Sequence, residues 1–274
     1  MGAAAGEWSK VSWLGLPQLG SQHGAALDRT LGLVHLLMLA LFVGWGLFFA
    51  YVLVRFRRKR HPRADYGGIT GHTSTWLEVA VAVAEGVLLV GFSIPLWAER
   101  VDRFPPPGEA TRVRIVAEQF AWNVHYPGKD GVFGRTDPAL VDVQTNPLGL
   151  DHNDPAAKDD VVTLNHLYLP VGRPALVQLT SKDVIHSFAL QEMRIKQDVI
   201  PGMTVPVWFV PSVTTDEMRQ RTGNPAFEYE ISCAQLCGLG HYRMRGYVHV
   251  LTPDAFEKWL SEQASQQGEE SVWQ

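Results

Sequence analysis

The chain has 274 residues, a formal net charge of -4 and only two cysteines, Cys233 and Cys237. That length leaves room for a membrane anchor and one globular domain, or for two small domains. Two cysteines exclude a disulfide framework. The basic residues crowd into Arg55–Arg63 beside an apolar run, with Phe56 the one Phe, Tyr or Trp among them, so no nucleic-acid footprint follows.

In chain order, residues 1–30 lack a basic start, a compact apolar core and a small-residue cleavage site in that order, so no signal peptide is expected. Leu31–Val54 is apolar apart from His35 and long enough to cross a bilayer as a helix. The cationic run Arg55–Arg63 follows at once, and a cluster of that kind holds its side in the cytoplasm. Glu78–Trp97 reads as a second span of about 20 residues, apolar but for Glu78 and Glu85. With the basic loop inside, both chain termini and everything after the second span are expected outside. Pro105-Pro-Pro-Gly108 can continue neither helix nor sheet and marks the start of an outer domain at residue 105.

From there short β-branched or alternating runs dominate: Arg112–His125, Val161–Leu169, Ala175–Thr180, Val205–Val210, Phe227–Ser232 and Arg245–Leu251. Punctuated by Pro and Gly, they predict a β-sandwich or barrel over 105–252. Pro127–Asp160 lacks periodicity and carries an excess of Asp, as a long excursion between strands would. Pro253 starts a short carboxy-terminal helix, and the Gln-Gly-Glu-Glu-Ser tail is expected to be mobile.

The stretch Cys233-Ala-Gln-Leu-Cys237-Gly-Leu-Gly-His241-Tyr-Arg-Met244 gathers two thiols, an imidazole and a thioether within twelve residues. Soft thiolate and thioether donors together with imidazole are the ligand list of electron-transfer copper. Three plainer readings stand beside it: a small disulfide, a structural zinc site, which favours four Cys or His ligands, and a mononuclear blue-copper centre, which needs one cysteine only. A further ligand is required from elsewhere, and His186 in Asp183-Val-Ile-His-Ser-Phe188 suits that role. Asp183, Ser187 and Gln191 are candidates to orient it. His125, His166 and His249 lie in or beside predicted strands and read as structural or surface histidines.

The spacing C-x3-C-x3-H-x2-M resembles the dinuclear CuA motif of cytochrome c oxidase subunit II. The two spans, the basic inner loop, the proline-rich exit, Asp183–Phe188 and Asp198-Val-Ile-Pro-Gly202 extend the resemblance over nearly the whole chain. It implies a two-helix transmembrane hairpin carrying an all-β cupredoxin-like domain. It further implies that two copper ions are bridged by Cys233 and Cys237, capped by His186 and His241, and completed by Met244 and the backbone carbonyl of Gln235. Electrons from a cytochrome c, free or part of a supercomplex, would pass to a haem in subunit I, where oxygen is reduced and protons are pumped; subunit III is a further implied partner. Glu78 falls where the family carries a glutamate near the mouth of a proton channel.

Some positions depart from the family. Gln235 replaces a glutamate whose carboxylate helps bind magnesium, so the magnesium site does not carry over. The aromatic run that admits electrons reads Gln119-Phe-Ala-Trp-Asn-Val-His-Tyr126, with Phe120 in place of the usual tryptophan. Electron input is therefore expected at Phe120, Trp122 or Tyr126. Val81, Ala82 and Glu85 replace the tryptophan, threonine and proline usual in the second span. No Cys-x-x-Cys-His sequence is present, so no covalent haem is expected in this chain. Alternatives are a copper-free subunit II of the quinol-oxidase type, which has no use for both cysteines, and the CuA domain of another reductase such as nitrous oxide reductase.

Overall fold

A computed structural model of the chain describes residues 14–64, 66–67 and 71–270. It divides into two units, one spanning Ala26–Asp102 and one formed by Leu16–Ala25 with the chain from Arg103 onward.

The first unit holds two apolar helices. α1 runs Gly24–Arg55, enclosing the predicted span 31–54. The second helical stretch, Thr73–Val101, is longer than the predicted 78–97. It comprises α2 (Thr73–Leu88), a π turn at Leu89–Ser93 and α3 (Ile94–Val101). Pro95 explains the π turn: proline supplies no N–H and its ring crowds the carbonyl one turn back, so a wider turn lets the helix continue. The Ser93 hydroxyl donates to the Leu88 carbonyl at 3.3 Å inside that turn. Neither apolar window buries any residue, with mean hydropathies of 2.4 and 2.1, and Phe42 is 78% exposed. Side chains of that kind are stable in lipid and not in water. Glu78 and Glu85, seven residues apart, share one face of α2.

The second unit is a two-layer sandwich of ten strands. One sheet has the order β3-β2-β1-β5-β8 and the other β4-β10-β9-β6-β7. The strands are β1 Thr111–Glu118, β2 Ala121–Tyr126, β3 Val161–Leu164, β4 His166–Pro170, β5 Ala175–Ser181, β6 His186–Leu190, β7 Ile195–Val199, β8 Val205–Phe209, β9 Tyr229–Cys233 and β10 Arg245–Leu251. β1 pairs in parallel with β5, and β4 with β10; the other pairings are antiparallel. Strict alternation of buried and half-buried residues along β1 and β5 turns Val113, Ile115, Val177 and Leu179 inward, where they join Phe188, Tyr229, Ile231 and Val248 in one core. Each such side chain contributes about 1.5–3 kcal/mol on burial.

Several predicted runs split. Arg112–His125 is a hairpin, β1 and β2, turning at Gln119-Phe120. Val161–Leu169 breaks at Asn165, whose φ of 61° sends β3 to one sheet and β4 to the other. α4 (Thr215–Thr222), closed by a capping box of Thr214 and Glu217, was not expected from the sequence. α5 runs Pro253–Glu270, so the tail expected to be mobile is helical as far as Glu270. Residues 16–25 add a strap: the Gly20 amide donates to the Glu192 carbonyl at 2.8 Å, Ser212 donates back to the Gly20 carbonyl at 2.8 Å, and the Ser21 hydroxyl donates to the Met193 carbonyl at 2.8 Å.

Candidate metal centre

β9 ends at Cys233 and β10 begins at Arg245, so the ligand loop closes an antiparallel strand pair at Arg245↔Ser232. The pair fixes both ends: the Cys233 amide donates to the Met244 carbonyl at 3.3 Å, and the Ala234 amide to the Ser187 carbonyl at 2.9 Å. β6 lies alongside, with Phe188 opposite Cys233, and its first residue is His186. Rigid strands thus set the donors from two directions.

The donor atoms form a connected group. Cys233 Sγ is 3.8 Å from Cys237 Sγ and 3.9 Å from His186 Nδ1. Cys237 Sγ is 3.6 Å from His241 Nδ1 and 3.7 Å from Met244 Sδ. The Gln235 carbonyl lies 3.1 Å from Cys233 Sγ, while its amide side chain is exposed. His186 is fully buried, and Cys233, Cys237 and Met244 are 9, 4 and 2% exposed. Both cysteines are free thiols, with sulfurs far beyond the roughly 2.05 Å of a bond, so the disulfide reading does not hold. The ligating atoms of His186, Cys233 and Cys237 all lie within 4.8 Å of one another.

Electrostatics poise these groups. His186 Nε2–H donates to Asp183 Oδ1 at 2.9 Å, which fixes the tautomer and turns Nδ1 toward the sulfurs. Burial pulls the His186 pKa down, yet the Cys233 and Asp183 contacts outweigh it and leave it raised. Burial pushes the Asp183 carboxyl up, but His186 and the backbone amides of Gln119 and Val184 hold it below its ordinary value. Of the other orienting candidates, the Ser187 hydroxyl is buried with no partner, and the Gln191 carbonyl accepts from Arg194 in the turn after β6.

The tip of the β1–β2 hairpin covers the loop. Gln119 Nε2 donates to the Cys237 carbonyl at 2.6 Å, and the Gln119 amide donates to Asp183 Oδ2 at 2.7 Å. One residue therefore ties the thiol loop to the carboxylate that orients His186. Gly238 has a φ of +131°, a conformation only glycine adopts readily, and a β-carbon there would meet Gln119 Nε2 at 2.6 Å. Phe120 is half-buried at this tip. Trp122 and Tyr126 are 0 and 1% exposed, so neither presents surface of its own beside this tip. Trp122 instead stands edge-on to His186, with ring centroids 6.2 Å apart. The Tyr126 hydroxyl accepts from the Tyr168 amide at 2.6 Å and packs near Trp259. Sequence reasoning missed Gln119; its only signal was its place just before the aromatic run.

The remaining histidines lie elsewhere. His125 Nε2 contacts Asp160 Oδ2 at 2.7 Å in full burial, and His166 Nδ1 lies 2.9 Å from His249 Nε2.

A β-sandwich in which one loop and one strand gather two thiols, two imidazoles and a thioether is a cupredoxin-like domain with a soft-donor metal centre. Residues 111–250 match the family described as cytochrome c oxidase subunit II, periplasmic domain. The alternative cytochrome c oxidase subunit 2 of Bradyrhizobium diazoefficiens is 34% identical over 238 residues, 86% of this chain and 80% of that protein. Cytochrome c oxidase subunit 2 of Cereibacter sphaeroides is 26% identical over 95% of this chain and 86% of its own length. Among solved structures, the periplasmic domain of subunit II of cytochrome oxidase from Bradyrhizobium japonicum matches 60% of this chain and 99% of its own, with 24% identity and a TM-score of 0.40. The chain belongs to the cytochrome c oxidase subunit II family. It is a membrane protein whose β domain lies outside.

Proposed function

We propose that the chain is the electron-transfer subunit of a haem-copper terminal oxidase, receiving electrons from a cytochrome c at a dinuclear CuA centre and passing them to haem in subunit I. The observation that carries this reading is the chain of contacts His186–Cys233–Cys237–His241 with Met244 against the second sulfur, all between 3.6 and 3.9 Å. Donors of this softness suit copper, and a hydrolytic zinc centre would keep a position open for water instead.

Cys233, Cys237, His186 and His241 would hold the two copper ions, with Met244 and the Gln235 carbonyl completing the donor set. When bound, such a pair supplies one-electron transfer with little rearrangement. The protein's part is to keep it so: Asp183 locks the His186 ring, Gln119 pins the loop, and near-complete burial of both sulfurs excludes water. Phe120, at the hairpin tip, is the proposed point of electron input, and Trp122, edge-on to His186, would lie on the way to the metal. A copper-free quinol-oxidase role leaves two converging thiols without a purpose.

Gln235 presents a neutral amide where a hard dication prefers a carboxylate, so this chain contributes little to any magnesium site. In the assembled oxidase, with subunits I and III, Glu78 would serve protons at the inner end of α2 in a proton-translocating enzyme. Ionisable groups within a span face a partner or water rather than lipid, and Glu85 on the same face fits that placement. The basic run 55–63 would lie in the cytoplasm, with both termini outside.

The test is metal analysis with electron spin resonance on the full chain, purified in detergent and loaded with copper. Two coppers per chain sharing one unpaired electron are expected, and Cys237→Ser should abolish that signal while leaving the β-sheet circular dichroism intact. A single copper, or zinc alone, overturns the assignment.

A further inference from the structure

A cavity with a basic lining lies in the β domain, and none of the copper donors lines it. Where α5 packs near the start of β1 and the turn after β2, this cavity of about 460 Å³ opens. Arg112, Lys129 and Arg173 line it against a single acid, Glu257. That acid lies 3.7 Å from Arg173, with both side chains well exposed, and a pair so wet neutralises little. Arg112 Nη1 donates to the Gly131 carbonyl at 2.6 Å, which fixes the guanidinium and leaves further N–H groups of its fork for a ligand. Two carboxylates belong to this turn and are already engaged by backbone amides: Asp159 accepts from Lys129 and Asp130 at 2.5 and 3.1 Å, and Asp130 accepts from Val132 at 2.7 Å. Thr111 also lines the cavity. It is 7% exposed, and its buried hydroxyl has no partner, which is costly unless something supplies one. Phe256, Leu260 and Pro107 form the apolar part of the wall.

We propose that this cavity binds a phosphate-ester anion through Arg112, Lys129 and Arg173. A fixed guanidinium matches phosphate oxygens in pairs, and a lysine adds a point charge. The apolar wall gives room for a carbon skeleton beside the phosphate. Two sources share this chemistry, an anionic phospholipid headgroup and a soluble phosphate. None of the copper donors takes part, so the site stands or falls independently of the electron-transfer reading.

The test uses the full chain in nanodiscs of phosphatidylcholine, titrated calorimetrically with inorganic phosphate and, separately, with dihexanoyl phosphatidylglycerol. Saturable binding of at least one probe is expected. Arg173→Gln and Lys129→Gln should each weaken it about fivefold, as loss of one partly exposed charge near an anion would. Arg245→Gln, which removes an exposed cation paired with Glu230, should leave it unchanged. Tighter binding of the lipid assigns the headgroup, and equal binding assigns a soluble phosphate; either supports the site. No saturable binding of either probe, or an equal loss in Arg245→Gln, overturns it.

Discussion

The ring of Phe120 lies so close over Gly240 that a β-carbon added there would stand 2.3 Å from Phe120 Cδ2 and 2.6 Å from Cε2 and Cγ. The hairpin tip and the ligand loop are thus fitted without a spare atom between them. Gly240→Ala should force the ring off the loop and destabilise the domain by about 1–3 kcal/mol, the usual cost of overpacking. Thermal unfolding of the copper-loaded chain would show a lowered Tm, and an unchanged Tm would mean the loop yields freely.

Phe120 is also the only member of the aromatic run Phe120, Trp122 and Tyr126 that is not fully buried. Phe120→Trp is therefore expected to raise the rate of reduction by a soluble cytochrome c, with copper content unchanged, while Tyr126→Phe leaves that rate alone. Stopped-flow reduction of the assembled oxidase measures both. No change in Phe120→Trp with any donor places the input elsewhere.

Asp183 reaches His186 through one oxygen at 2.9 Å and the Gln119 amide through the other at 2.7 Å. Removing an orienting carboxylate of this kind typically weakens a metal site 10–100-fold. Asp183→Ala should lose copper to a competing chelator over about that range, whereas substitution of Asp198, whose backbone pairs with Ser187 further along β6 and β7, should not.

The metal-free centre carries a pH signature. Burial pushes the Cys233 thiol up, but the contact with His186 and nearby backbone groups outweighs it and brings the pKa from 9.0 down to about 6. Burial, aided by the Cys233 sulfur, drives Cys237 up to about 11. A lowered acid stabilises the fold fully above its unfolded value and loses that as pH falls through 6. A raised one stabilises it fully below 9 and loses that as pH rises through 11. The stability difference between the metal-free chain and its Cys233→Ser, Cys237→Ser double variant should therefore peak near pH 9. Denaturant titrations across the range measure it, and a flat difference would refute the coupling.

The ligand loop was legible because four of its side-chain donors sit within twelve residues and need no knowledge of the fold. His186 was found from its neighbours in sequence. Gln119 was not, since its hydrogen bond to Cys237 spans 118 positions and nothing local announces it. β6 is buried at every residue and so shows no alternation, while β7 alternates in burial but carries polar Gln197 on its inner face between Ile195 and Val199, leaving three polar residues in a row in the sequence. Neither sequence reads as a half-buried strand. Runs that looked continuous hid turns: the hairpin at Gln119-Phe120, and Asn165, where a left-handed residue exchanges one sheet for the other. The apolar spans were plain, but their ends were not: the helix expected over Glu78–Trp97 runs from Thr73 to Val101, where polar flanking residues continue it.

The strap at residues 16–25 changes what counts as a piece of this protein. Gly20 sits against the Tyr229 ring, with an added β-carbon meeting it at 3.0 Å, and Arg194 Nη2 donates to the Pro17 carbonyl at 2.8 Å. A fragment cut at the proline-rich exit would uncover that ring and strip partners from Glu192, Met193 and Ser212. The unit that can be excised intact is therefore discontinuous, and a water-soluble version would need residues 16–25 grafted back through a linker in place of both spans.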